Sequence, residues 1–362
     1  MIIFIDTNIL FNNWYLNNAN FQFLFNYLEN TKSILAISEL VSQEIDNKYY
    51  IEHENLKKGF ESNLKKANSL LNKQINFDNK SLETKYSFKN IINLKTENVE
   101  FYDYSMISNS LLVDRALKKI KPFKDEDKGF RDSLIWLSFL NYIKKNENHK
   151  IAFINNNSND FLNSEKTDFN DSLKNDLKIY GIDNEFKIYD SIRNFIENEV
   201  GFKHTYTKST ILEQFIYPNE KLIEQMLQDY INSQSVKWFD DTIKSHTAKF
   251  QNTDYITSFS FNILEGIEDP ELLNWEQIEK DKFFSQLSFH LRIVEIELII
   301  PKVFFEGLNE DHRYRNTVKT IEYDSDNVIL KFIKKVYLNI SFNFDTSKTI
   351  VTDLDINLFG II

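Results

Sequence analysis

Three unbroken apolar runs, Ile2–Ile5, Ile34–Ile37 and Ile151–Ile154, and a fourth strand-like segment, Phe186–Tyr189, recur along the first 200 residues with helical patterns between them. A short run with no polar interruption reads as a parallel strand covered on both faces. Regular strand–helix alternation then implies a parallel sheet flanked by helices. In such sheets ligands gather outside the carboxyl ends of the strands. The first polar residues after each run therefore matter most. The first run passes directly into Asp6-Thr7-Asn8, and the third enters the turn Asn155-Asn156-Asn157-Ser158-Asn159-Asp160-Phe161, so Asp6 and Asp160 each stand just beyond a strand end. The plain alternative for either is a turn cap through its own backbone.

Between the strands, Phe21–Leu28 reads as a short helix, and Ser38 caps another from Glu39 to about Tyr49. At about 100° per residue, Ile37, Leu40, Val41 and Glu44 share one arc and Glu39 points the opposite way. Glu44 thus lies on the inward stripe, where a carboxylate is costly unless paired, protonated or bound to a cation. A salt bridge is the structural reading. Residues 53–76 suggest an exposed helix, and 86–117 read as mostly helical. That stretch runs into a basic segment holding Arg115, Lys118, Lys119, Lys121 and Lys124, which is either a solvated helix end broken at Pro122 or a phosphate-contacting patch. Gly129-Phe130-Arg131-Asp132-Ser133 leads into Leu134–Leu140, apolar on nearly every side and so buried. Asp132 at its start is read structurally as an N-cap. Helices near Leu173–Lys178 and from Ile192 to about Val200 complete the series.

Composition removes whole classes of chemistry. With 0 Cys among 362 residues, thiolate metal sites, disulfide scaffolds and cysteine nucleophiles are excluded together. The 7 Gly form neither a P-loop nor a dinucleotide fingerprint. No apolar stretch approaches the ~18 residues that span a bilayer, and the start carries no basic leader; the expectation is a cytoplasmic protein. A net charge of −11 argues against a broadly basic nucleic-acid coat. An acidic protein still grips phosphates where it holds divalent cations beside a local basic patch.

At about 150 residues per domain the length suggests roughly two domains. Beyond residue 200, Thr210–Ile231 reads as helical and the remainder as strands of period two, with Leu338, Ile340, Phe342 and Phe344 on one face and Asn339, Ser341 and Asn343 on the other. An antiparallel sheet with one wet face is expected. His290, Arg292, Glu295 and Glu297 on one long strand read as cross-strand pairing.

Four inward carboxylates at one sheet edge would repel unless a cation sat among them, and all-oxygen ligands select Mg²⁺ or Mn²⁺ over zinc. Taken together, Ile5-Asp6-Thr7-Asn8-Ile9-Leu10, Glu44, Arg131-Asp132-Ser133-Leu134-Ile135-Trp136 and the Asn-rich turn ending Asp160-Phe161 resemble the PIN-domain nucleases over roughly residues 1–200. Lys121-Pro122-Phe123-Lys124 followed by Gly129-Phe130-Arg131-Asp132 resembles one bacterial PIN-like subfamily, here with a C-terminal extension. The resemblance implies a three-layer α/β/α nuclease domain (1–200), followed by a helical connector (201–240) and a β-rich accessory domain (241–362). It implies Mg²⁺- or Mn²⁺-dependent hydrolysis of RNA, usually single-stranded. Asp6, Glu44, Asp132 and Asp160 become metal ligands and catalytic residues, with Thr7, Asn8, Asn157 and Ser158 ordering them. Arg115, Lys118, Lys119, Lys121, Lys124 and Arg131 become the substrate-binding set. Many PIN domains carry a further Asp where this chain has Ser158, which weakens the case for an obligatory second metal. By analogy, an appended domain suits a toxin or defence effector, a regulatory partner or a homo-oligomer. The readings set against this one are a nuclease acting on DNA, a catalytically silent PIN-like binding module, and a haloacid-dehalogenase-like phosphatase. The last wants an Asp at the position of Asn8.

Overall fold

The computed structural model describes residues 1–362 except 12, 72–74, 76–84, 125–127, 147–148, 157, 166, 201–206, 245–255, 280, 304–319, 325 and 362. The chain forms two compact units: Met1–Asn17 with Leu24–Val200, and Asn18–Phe23 with Gly201–Ile362.

The first unit is built on β1 (Ile2–Ile5), β2 (Ile34–Ser38), β3 (Val99–Tyr102), β4 (Ile151–Ile154) and β5 (Phe186–Tyr189), all parallel in the order β3-β2-β1-β4-β5. The chain lays strands to one side of β1, then returns to lay β4 on the other. Strand order therefore reverses between β1 and β4, and that reversal opens the crevice a ligand uses in such folds. Every residue of β1 and β4 is buried, as expected for central strands covered by helices. Phe4 stacks on Phe153 across the pair, with ring centroids 4.5 Å apart. The flanking layers are α1 (Thr7–Leu10), α2 (Ala19–Thr31, of which the part from Leu24 on belongs to this unit), α3 (Glu39–Leu70), α4 (Phe88–Asn93), α5 (Asn109–Leu117), α6 (Phe130–Lys144), α7 (Ser158–Phe161), α8 (Asp171–Tyr180) and α9 (Ile192–Glu199). This is a three-layer α/β/α domain on a parallel sheet. Ser38 caps α3 as expected, its hydroxyl accepting from the Leu40 N–H at 3.2 Å. The helix then runs on unbroken to Leu70.

Two expectations fail in this unit. The stretch 86–117 is not mostly helical: β3 lies inside it, between α4 and α5. As an edge strand it is only partly covered and carries Glu100, so it lacks the continuous apolar signature of β1 and β4. Arg115 is not a surface cation. It is buried on the inner side of α5 one turn from Leu112, and its Nη1 donates to Asp176 Oδ1 at 2.8 Å. Trp136 Nε1 donates to the other oxygen of Asp176 at 2.9 Å. A buried guanidinium and carboxylate that satisfy one another hold α5, α6 and α8 together and offer nothing to a substrate.

In the second unit, α10 (Lys208–Ile211) passes through one π turn and one 3₁₀ turn into α11 (Glu220–Asn232), and α12 (Val236–Lys244) follows. The long antiparallel strands are β6 (Ser258–Glu279), β7 (Lys282–Pro301), β9 (Asn327–Asp345) and β10 (Ile350–Ile361), in the order β10-β9-β7-β6; β8 (Thr320–Tyr323) also pairs with β9. Leu338, Ile340, Phe342 and Phe344 face an apolar core shared with the helices, where Phe215 packs on Phe283 and Phe344. The opposite face is not wet. Asn339, Ser341, Asn343, Gln286 and Ser288 are all buried there. Several of them bond with neighbouring side chains: Asn357 donates to Asn339 at 3.0 Å and to Ser341 at 2.7 Å, and Asn274 donates to Gln286 at 2.6 Å. Asn20, in the short segment that belongs to this unit, donates to Asp355 at 2.9 Å. Arg292 pairs with Glu265 at 3.2 Å and Glu297 with Lys331 at 3.0 Å, the cross-strand role expected of them.

Candidate metal and nucleic-acid site

At the strand-order reversal, Asp6 leaves β1 with its backbone N–H bonded to Ile154 of β4 at 3.2 Å. It stands at the N-cap position of α1, yet its carboxylate makes no helix-capping hydrogen bond. It is almost fully buried. Burial raises its pKa from 3.8 to about 7; the Asp132 and Glu44 charges add to the rise, while the Thr7 N–H and Lys48 oppose it.

Asp132 is not the cap of its helix either. Gly129 is the N-cap, which puts Asp132 third in the first turn of α6. Its carboxyl is also pushed above the ordinary range, first by burial and then by Asp160 and Glu44, with Arg131 and Lys124 pulling the other way. The mutual influence of Asp6, Glu44, Asp132 and Asp160 brings the four carboxylates, spread from residue 6 to residue 160, into one electrostatic neighbourhood. Gly129 makes the approach possible. Its φ is +91°, and a Cβ there would lie 2.1 Å from the Pro122 carbonyl oxygen, so only glycine lets Pro122-Phe123-Lys124 close against the start of α6.

Glu44 lies on the inward stripe of α3. One oxygen accepts from Thr7 Oγ1 at 2.7 Å and the other from Arg131 Nη1 at 2.6 Å. Asp160 is buried and ion-paired with Lys124. Asn8 donates to Asn155 Oδ1 at 3.2 Å, tying the turn after β1 to the turn after β4. Of the expected ordering residues, Asn157 lies outside the described residues; Ser158 begins α7. Of the expected substrate cations, Lys124 and Arg131 reach the site, Lys118 turns to Asp114 of its own helix at 2.8 Å, Lys119 is exposed and Lys121 is half-buried. Arg115 is internal, held by Asp176.

Three residues at this edge escaped the sequence reading. Lys48, one turn beyond Glu44 on α3, lowers the pKa of Asp6; its spacing from Glu44 was the available signal. Asn155 was passed over within a run of asparagines. Tyr102 ends β3 at the same edge, its hydroxyl pushed well above its usual range by burial and then by the Asp6 charge. The helical reading of 86–117 hid it.

The donor set is entirely carboxylate oxygen, Asp6 and Asp160 buried and Glu44 and Asp132 half-buried, which suits a hard divalent cation. The raised proton affinity of Asp6 and Asp132 comes first from burial and then from neighbouring carboxylates, offset in part by Lys48, Arg131 and Lys124. Among the described residues, no three His, Asp or Glu groups are gathered tightly enough to ligate one ion, with Glu44 held by Arg131 and Asp160 by Lys124. The chemistry fits, and filling the site requires those two cationic side chains to yield.

A parallel α/β/α domain with an acidic cluster at its strand-order reversal is an architecture of the nuclease type. Residues 3–161 match the family model of the PIN domain, so this part of the chain is similar to PIN domains. PIN domains are generally nucleases that use divalent metal ions. Comparison with curated proteins and with solved structures gave no match. Among the described residues no helix is long and apolar enough to cross a membrane.

Proposed function

We propose that this protein is a Mg²⁺- or Mn²⁺-dependent endoribonuclease that hydrolyses phosphodiester bonds in single-stranded RNA, with Asp6, Glu44, Asp132 and Asp160 as the metal ligands. One observation carries the reading: Asp6 and Asp132 are held above the ordinary carboxylate range at a ligand-binding edge of the sheet, next to two further carboxylates. Burial is the larger cause and repulsion among the carboxylates adds to it, a state found more often at functional sites than elsewhere. A bound divalent cation would relieve the repulsion, lower the pKa of an attacking water and shield the charge of the phosphodiester.

The chain's own residues then have separable tasks. Thr7 fixes one oxygen of Glu44, and the Asn8–Asn155 bond holds together the two turns that carry Asp6 and Asp160. Arg131 and Lys124, bonded to the carboxylates, stand where a phosphate backbone would arrive; Arg131 has 67% of its side chain exposed. The same two ion pairs favour a second reading, a catalytically silent binding module whose carboxylates are already neutralised.

Purified protein incubated with Mn²⁺ and labelled single- and double-stranded RNA and DNA separates these. Cleavage of single-stranded RNA, lost with chelator, is the expected result. Cleavage of DNA alone contradicts the substrate assignment, and binding without cleavage of any substrate selects the silent module.

A further inference from the structure

Next to the acidic cluster the chain builds a bed of aromatic rings that metal binding does not use. Beyond α1 the rings run in contact from Phe11 to Trp14, at 5.3 Å, and from Trp14 to Tyr49 of α3, at 5.6 Å. Tyr49 stacks on Tyr86 at 3.8 Å with the planes 10° apart, and both are buried. On this bed stand two large rings left open to solvent, Tyr15 at 48% exposure and Tyr50 at 46%. Each is edge-on to a buried ring, Tyr15 to Tyr86 at 6.0 Å and Tyr50 to Tyr49 at 6.1 Å. Each is also tethered by its hydroxyl, Tyr15 to Tyr49 Oη at 3.4 Å and Tyr50 to the Tyr86 carbonyl at 3.3 Å. Rings held in place lose little conformational freedom when something flat lies against them.

The bed is continuous with the acidic site. Lys48 sits over the Phe11 ring, 4.5 Å from its centroid, and its charge is felt at Asp6. Tyr50 lies six residues beyond Glu44 on the same helix, about 9 Å along the axis at 1.5 Å per residue. A strand whose phosphates meet Lys48 at the carboxylate edge would carry its neighbouring bases onto the tyrosines.

We propose that Tyr15 and Tyr50 form a stacking platform for unpaired bases, so that a single-stranded polynucleotide is held beside the acidic site by base–aromatic contact and Lys48 together. Paired bases already stack on one another and cannot reach such a platform without unpairing, whereas single strands offer every base a free face. The platform therefore selects strandedness and is tolerant of sequence. This rests on the nuclease reading of the adjacent site for its purpose, but its test reads binding alone.

The experiment is fluorescence anisotropy of end-labelled single-stranded RNA, single-stranded DNA and duplex RNA, with the full-length chain under chelator so that no hydrolysis intervenes. Base–aromatic stacking measured by alanine substitution predicts a loss of roughly tenfold or more in single-strand affinity for the Tyr15→Ala/Tyr50→Ala double variant. The Tyr15→Phe/Tyr50→Phe variant keeps both rings while losing their hydroxyl tethers; it should retain most of the single-strand affinity that the alanine variant loses, and it controls for folding. Single-strand binding unchanged in the alanine variant, duplex binding that falls equally, or no single-strand binding by the parent each overturns the platform. If the alanine variant does not fold, photocrosslinking of the parent to a 5-iodouridine oligonucleotide decides: adducts on Tyr15 or Tyr50 support the platform, and adducts only elsewhere overturn it. A parent that binds single strands through these rings but never cleaves them refutes the nuclease reading and leaves the platform standing.

Discussion

In the N-terminal unit the sheet's carboxyl edge gathers four carboxylates, Asp6 and Asp160 buried and Glu44 and Asp132 half-buried; in the C-terminal unit the buried polar face is mostly amides and hydroxyls, together with the carboxylate of Asp355, which burial raises to about 6 while Asn20 donates to it. The difference is one of completion. Asn339, Ser341 and Asn357 bond with one another as neutral groups, and neutral groups that exchange hydrogen bonds settle their desolvation locally. Asp6 and Asp132 do not reach that state: burial and neighbouring carboxylates raise both, and Lys48, Lys124 and Arg131 offset the rise only in part. The second unit thus meets most of its buried polarity with neutral partners of its own, whereas at the first unit's edge carboxylates crowd one another, which is what the proposed metal site turns on.

Arg115 gives the most disruptive test, because in the first unit it is a buried polar group met by a partner of the unit's own. Arg115→Met leaves Asp176 buried with only the Trp136 N–H, and breaking a buried pair from one side costs about 3–5 kcal/mol. A thermal melt should show the largest loss of any substitution considered. A variant that melts like the parent would return Arg115 to the surface.

Asp132→Asn should do the opposite. Cleavage falls by more than about 100-fold, beyond the loss usual for residues that merely support a ligand, while the metal-free melting temperature holds or rises as four crowded carboxylates become three. Initial rates and melts on the same preparation check both halves. A variant that keeps full activity, or one that simply unfolds, breaks the comparison.

A smaller effect belongs to the second unit. Asn357→Ala leaves the Asn339 Oδ1 and Ser341 Oγ atoms without the donor that serves both, for a cost of about 1–3 kcal/mol in denaturant unfolding and no change in cleavage. The smallest concerns Lys118, exposed and paired with Asp114. Lys118→Ala should change stability by less than about 1 kcal/mol and leave single-strand affinity near that of the parent. A marked loss of binding would extend the phosphate-contacting surface along α5.

Much of this comparison was legible in the sequence. Unbroken apolar runs announce strands covered on both faces, so β1, β2 and β4 were readable, and with them the polar residues at their ends. The helical arc that set Glu44 inward was a matter of phase and held. What escaped were features set by partners distant in the chain. β3 is covered only in part and reads as a mixed segment. The basic run gave Arg115 and Lys118 equal weight because counting charges ignores which side of α5 each occupies; its one-turn spacing from buried Leu112 was the clue. Asn339, Ser341 and Asn343 alternate as a wet face would, and only the pairing partners that bury them show otherwise.

Calorimetric titration of the chelator-treated protein with Mn²⁺, repeated in buffers of differing ionisation enthalpy, tests the central claim most directly. Asp6 is held at about 7 against an ordinary 3.8, so below that pH it is protonated in the metal-free fold and must release its proton to serve as a ligand. Saturable binding is expected, with proton release that is greatest on the acid side of about 7 and fades above it, and with affinity rising as the proton competes less. Asp6→Asn should weaken the binding and reduce the release. Absence of saturable Mn²⁺ binding, or binding and proton release unaltered in Asp6→Asn, would contradict the assignment of the four carboxylates to one divalent-metal site.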